Sequence, residues 1–250
     1  MAGREYNGGM WHLILTRLAR PLTRRIGGAA FGVALLALAG CTPQAALLSS
    51  LIPDGTTSIL LSHLKGTEES NQKRVLELES RKDWDGLVKL AEENLAKDRR
   101  NIAWWMVAGL AHTQAGRHQR ATECYREVVE LAPDEMDGWE LLAQSYRAAG
   151  QPQQAVRTVN NALRVKDNVP PGLWLVLGQS YDDLARADLA FGAYRTAVKL
   201  DKGLAQAWFG LGRASARLNR RPEFEESVKV LELLKSPLAQ ELAAMRSVMR

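Results

Sequence analysis

Four tryptophans stand on a ruler. Trp105, Trp139, Trp174 and Trp208 are separated by 34, 35 and 34 residues, and a fixed period of that size marks stacked supersecondary units, each too small to bury its apolar face alone. Other columns keep step. Gly109, Ala143, Gly178 and Gly212 follow the tryptophans by four, and Ala121, Ala155 and Ala190 follow by sixteen. Tyr146 and Tyr181 sit seven after their tryptophans, while Tyr125 and Tyr194 sit twenty after theirs. Positions i, i+4 and i+7 share one helix face, so the rings bury area while the small residue lets a second helix come close.

A reversal is needed between the two helices of each unit. The turn position reads Gly116, Gly150, Ala185 and Asn219, and glycine and asparagine tolerate a left-handed backbone there. Pro152 follows its turn, where a missing amide hydrogen costs little. Pro133 and the Pro170-Pro171 pair end units, and the latter accounts for the 35-residue spacing.

The pattern resembles the tetratricopeptide repeat, W-x2-L-G-x2-Y followed by A-x3-F and P. Trp139-x2-Leu142-Ala143-x2-Tyr146 and Trp174-x2-Leu177-Gly178-x2-Tyr181 carry the first half, and Ala190-x3-Tyr194 carries the second. The resemblance covers residues 102 to 235 in four units. His112 and Ser215 stand where tyrosine is usual, Phe224 where a small residue is, and Asp167 and Lys202 where proline is. It implies an all-α solenoid of antiparallel helix pairs. A fifth unit lies upstream, with a degenerate first helix from about Glu68 to Ser80 and a second around Trp84 to Asp98. Downstream, Leu238, Leu242 and Met245 form an apolar stripe after Pro237, the expected cap for an open solenoid end.

The N-terminal region reads differently. Arg17, Arg20, Arg24 and Arg25 precede an uncharged run from Ile26 to Ala39, the layout of a secretory signal and too short for a span of roughly 20 apolar residues. The run ends Leu38-Ala39-Gly40-Cys41, which resembles the lipobox of bacterial lipoproteins. That resemblance implies cleavage between Gly40 and Cys41 and acyl chains on Cys41. Thr42 in place of aspartate favours the outer membrane, periplasmic face, with inner-membrane retention left open. The organisation expected is a signal peptide over 1–40, a lipidated linker over 41–67 and a repeat domain with capping helix over 68–250. Met10 is an alternative start, and residues 42–67, apolar for a tether, either pack on the first repeat or lie near the bilayer.

Charge and chemistry narrow the function. Residues 1–40 hold five of the 33 basic residues and one of the 28 acidic ones, so the remainder is 28 against 27, near neutral and without a nucleic-acid footprint. Removal of the leader leaves Cys41, taken by lipid, and Cys124, with no disulfide partner for it in the same chain. His63, His112 and His118 are scattered, with His112 read as packed and His118 as solvated. Cys124 lacks a catalytic neighbourhood, and no glycine loop suits a phosphate. The expectation is a non-enzyme with no cofactor, metal or small-molecule substrate.

The repeat resemblance implies that partners bind as protein segments in a concave groove lined by first helices. Its inward positions fall on Met106, Thr113 and Gln114; on Asp137, Glu140, Gln144 and Arg147; on Leu175, Gln179, Asp182 and Asp183; and on Gln206, Phe209, Arg213 and Arg217. Charge runs from acidic in the middle to basic at the end. The reading is a membrane-anchored scaffold for assembly of an envelope machine, a pilus or secretion system first, with outer-membrane barrel assembly or cell-wall and polysaccharide machinery as the alternative.

Overall fold

The computed structural model describes Leu64 and residues 68–249. The leader, Gly40, Cys41, both candidate starts and the linker apart from Leu64 lie outside the described residues. Eleven α-helices and a closing 3-10 turn follow one another, with no strand among the described residues. They are α1 Glu69–Ser80, α2 Trp84–Leu95, α3 Ile102–Gln114, α4 His118–Leu131, α5 Met136–Ala148, α6 Pro152–Val165, α7 Pro171–Asp183, α8 Ala187–Leu200, α9 Ala205–Arg217, α10 Arg221–Leu233 and α11 Leu238–Ala244. Odd and even helices pair into five antiparallel repeats, and α11 packs on α9 and α10 as the cap.

Helices of about three to four turns are marginal alone, so packing must hold them. The two helices of a repeat solve this differently. In α3 almost every residue from Ala103 to Ala111 is buried, because a first helix is sandwiched between neighbours. In α6 only the stripe Ala155, Thr158, Val159 and Ala162 is buried, the i, i+3, i+4, i+7 pattern of a helix with one face outside. In the last three repeats the first helices touch each other, α5 with α7 and α7 with α9, while second helices make no comparable contact. A stack whose first helices lie closer than its second helices curves toward the first, so α5, α7 and α9 form the inner side.

Each pair reverses through the same turn. Lys82, Gly116, Gly150, Ala185 and Asn219 all have positive φ, between 54° and 72°, and Lys235 repeats the geometry before the cap. In the turn after α3, the Gly116 amide donates to the Thr113 carbonyl and the Arg117 amide to that of His112, at 3.0 and 2.8 Å. This double closure satisfies carbonyls that the helix end would leave bare. Lys82, 34 residues before Gly116, shows that α1 and α2 follow the same ruler.

The columns have the expected mechanical meaning. A Cβ on Gly109 would lie 2.5 Å from the Tyr125 ring, and one on Gly178 would lie 2.6 Å from Tyr194. Where the small residue is Ala143, the position twenty after the tryptophan holds Val159, a smaller side chain than tyrosine. The core falls into three clusters, and tryptophans join them. Trp139 and Tyr146 pack against both the first and the middle cluster, Trp174 and Tyr181 against both the middle and the last.

Three indoles also clamp the loops between repeats. Trp105, Trp139 and Trp208 donate from Nε1 to the carbonyls of Arg99, Pro133 and Lys202, at 2.8 to 2.9 Å. Trp174, which follows the loop 166–170, makes no such bond.

Two outcomes follow from this geometry. Ala185→Gly relieves a left-handed alanine and raises stability by about 1 kcal/mol in urea unfolding, while Gly150→Ala, where a Cβ meets nothing within 4 Å, lowers it by about the same amount through backbone strain alone. Trp174→Ala removes a ring shared by two clusters, costing roughly 2–4 kcal/mol. It also splits the unfolding curve into two transitions, which urea melts followed by circular dichroism will resolve.

Candidate functional site

On the inner side, side chains of three repeats interlock. Arg147 on α5 reaches across to α7, donating from Nε to Asp183 at 2.6 Å and from Nη1 to Gln179 at 2.7 Å. Asp182, one residue from Asp183 on the same helix, faces the other neighbour and accepts from Arg217 Nη1 at 2.7 Å. Arg213 Nη2 stands 3.7 Å from the same carboxylate, an ion pair beyond hydrogen-bond range. Asp182 is nearly buried, its side chain 7% exposed, whereas Arg213 and Arg217 retain 33% and 42%. The floor beneath is aromatic: the Tyr194 hydroxyl, from the second helix α8, donates to Asp182 at 2.9 Å. Burial and the neighbouring Asp182 charge push the Tyr194 phenol well above its ordinary range, so it stays a donor.

At the α5 end the inner face is acidic. Asp137 is exposed, and Glu140 is largely buried with Gln144 donating to its Oε1 at 3.0 Å. The Glu140 carboxylate fills the space a Cβ on Gly172 would take, in the first turn of α7. Burial, with repulsion from Asp137 behind it, pushes Glu140 up to about 7. At the α9 end, Phe209 is half-buried and the Arg213 guanidinium lies 5.7 Å from its ring centre, within cation–π reach.

The structure thus gathers Asp137, Glu140, Gln144, Arg147, Gln179, Asp182, Asp183, Phe209, Arg213 and Arg217 on one surface, with Gln206 half-buried on the same helix as Phe209. It does not bring the α3 residues with them. Met106 is 1% exposed inside the first core cluster, because α3 is enclosed on nearly all sides. Thr113 donates to the Gly109 carbonyl and sits 3.5 Å from the Tyr125 hydroxyl, while Gln114 is exposed. Leu175 also lies in the core, 7% exposed. The acidic middle is corrected as well: Asp182 and Asp183 are neutralised by guanidiniums of the flanking repeats, so the acidic end is at α5.

Tyr194 and Gly172 escaped the sequence reading. A signal for Tyr194 was present, since the two repeats with tyrosine twenty after the tryptophan are those with Thr113 or Asp182 eight after it, a hydroxyl and its partner. Gly172 had none, because the Glu140 carboxylate it accommodates comes from another repeat.

Chemistry elsewhere is sparse. A shallow cavity of about 290 Å³ between α2, α3 and α4 is lined by Glu92, Trp105, His112 and Cys124 among others. Burial pushes the Cys124 thiol up to about 12 and, with Arg117, pulls His112 down, so neither a thiolate nor an imidazolium is offered there. His118 is half-buried and lowered by burial, not solvated as its sequence position suggested. No three His, Cys, Asp or Glu residues converge as metal ligands, and no helix is long and apolar enough to cross a membrane, among the described residues.

The architecture is that of a helical-repeat interaction scaffold. Residues 102–145 and 140–205 match the Tetratricopeptide repeat family, so this stretch of the solenoid is built of tetratricopeptide repeats. Protein bimA of Emericella nidulans is 25% identical over 115 residues, 46% of this chain. The match spans only 14% of that relative's length. Among solved structures, MamA superposes with a TM-score of 0.55 at 20% identity, covering 72% of this chain and 98% of its own. TTC0263, a thermophilic repeat protein of Thermus thermophilus, gives 0.55 at 19%, covering 71% and 97%. YrrB, described as having an unusual peptide-binding site, gives 0.54 at 15%, covering 76% and 98%. At these identities the likeness is one of fold.

The buried acid gives a measurable pH signature. Glu140 holds its proton more tightly folded, at about 7, than at its ordinary 4.5. The stability this provides is complete below about 4.5 and is lost as pH rises through about 7. Glu140→Gln is therefore close to neutral at pH 4.5 and stabilising by on the order of 1–3 kcal/mol at pH 8, read from urea midpoints at the two pH values.

Proposed function

We propose that this protein is a scaffold of the bacterial envelope that holds segments of partner proteins in the groove of α5, α7 and α9. The observation that supports the reading is the groove itself: polar and charged side chains from three repeats are held by one another on a concave face, beside the half-buried ring of Phe209. Preorganised side chains reduce the ordering cost of binding, and one buried ring among polar neighbours is the common form of an interface hot spot. A peptide-binding site in YrrB, a solenoid of like fold, is in keeping with this use.

The lipobox at Leu38-Ala39-Gly40-Cys41 supports an anchor. Acyl chains on Cys41 hold the scaffold on the outer membrane, facing the periplasm, because two chains convert marginal membrane binding into stable attachment. Confinement to a surface raises the effective concentration of the groove for partners in the same membrane. Assembly of a pilus or secretion system is the process this plan fits first, by analogy with repeat lipoproteins of the same layout.

Mass spectrometry of the chain from envelope fractions of a Gram-negative host tests the anchor. The expected species lacks residues 1–40 and carries acyl chains on Cys41, and Cys41→Ser moves the repeat domain out of the membrane fraction. Unacylated wild-type protein retaining its leader overturns the anchor. Pilin, secretin or assembly ATPase genes beside its own are the expected neighbourhood, and crosslinking through the groove in cells identifies the partner.

A further inference from the structure

The groove carries unbalanced charge at its two ends and a neutral centre. In the centre, Arg147 is matched by Asp183, and Asp182 takes Arg217 at 2.7 Å. Arg213 is then in surplus. Its contact with Asp182 is 3.7 Å, it is one-third exposed, and its guanidinium lies over Phe209. At the other end Asp137 and Glu140 have no basic ion-pair partner among the described residues, and Gln144, which bonds Glu140, is neutral.

We infer that the groove takes an extended segment with opposite charge at its two ends, its basic end on Asp137 and Glu140 and its acidic end, with an adjacent apolar side chain, on Arg213 and Phe209. This rests on the groove reading above. Charge complementarity selects the occupant. An acidic side chain gains the Arg213 guanidinium without breaking the shorter Arg217 bond, and a neighbouring apolar group covers the open edge of the Phe209 ring. A uniformly acidic segment meets the exposed Asp137 carboxylate, and a uniformly basic one meets Arg213, so each is repelled at one end. First helices of adjacent repeats lie roughly 10 Å apart, which puts α5 and α9 about 20 Å apart, the reach of roughly six extended residues at about 3.3 Å each. Side chains alone fix the polarity of charge, so the segment's chain direction is free.

Fluorescence anisotropy with the full chain and two labelled peptides of identical composition is the test. One peptide carries two lysines at one end and Asp-Leu-Asp at the other, six residues away; its isomer alternates the charges. The clustered peptide is expected to bind at least tenfold more tightly at low ionic strength, with the advantage shrinking as salt is raised. Arg213→Glu is expected to remove that advantage and to favour a third peptide whose acidic end is replaced by lysine. Equal affinity for the two isomers, weakened in both by Phe209→Ala, overturns the two-ended charge rule while leaving the groove as the binding site. Binding that is absent, or indifferent to Phe209→Ala, overturns the rule and the groove reading together.

Discussion

Tyr194 is where packing and recognition meet. Its ring lies against two first helices at once, 2.6 Å from where a Cβ of Gly178 would stand on α7 and 2.5 Å from that of Gly210 on α9. Only glycine permits this approach, since any side chain at either place would displace a ring that is 2% exposed. The hydroxyl then emerges on the inner side and fixes Asp182, which fixes Arg217 and leaves Arg213 in surplus. The position of a groove charge is thus set by how closely two helix backbones approach a ring from the outer layer.

Much of the fold was legible because it depends on local periodicity. The tryptophan ruler, the small residues four later and the left-handed turns each report a constraint that recurs in every repeat, so one sequence carries several copies of the same information. Lys82 and Lys235 are the exceptions, since lysine gives no hint of a left-handed backbone and the turn closure imposes it on them. The groove was less legible. Positions carried over from the repeat family fall on α3 as well as on α5, α7 and α9, and of these the last three are the first helices that touch one another on the inner side. They could not show that Met106 and Leu175 turn inward to the core, because the burial of a side chain on a first helix depends on neighbours 34 residues away.

Charge shows the same limit more sharply. Counted along the chain, Asp182 and Asp183 are an acidic pair. In space they are divided between Arg147 of one neighbour and Arg213 and Arg217 of the other, so the pair ties repeats together and contributes little free charge. What a partner meets is the remainder after this internal pairing. Glu140 shows the converse: assigned by sequence to the open groove, it is desolvated against Gly172 of the next repeat.

The loop at 166–170 gives the solenoid one unlatched seam. The indole of Trp174 lacks the carbonyl clasp its three counterparts have, and α6 packs on α7 less extensively than the corresponding helices pack at neighbouring seams. Across that seam, on the inner side, runs the bond set of Arg147 to Gln179 and Asp183. Flexing of the array is therefore concentrated at a single fold line. The side chains that resist it are themselves exposed to whatever occupies the groove, so the radius of the arc and the occupancy of its hollow are coupled through one guanidinium.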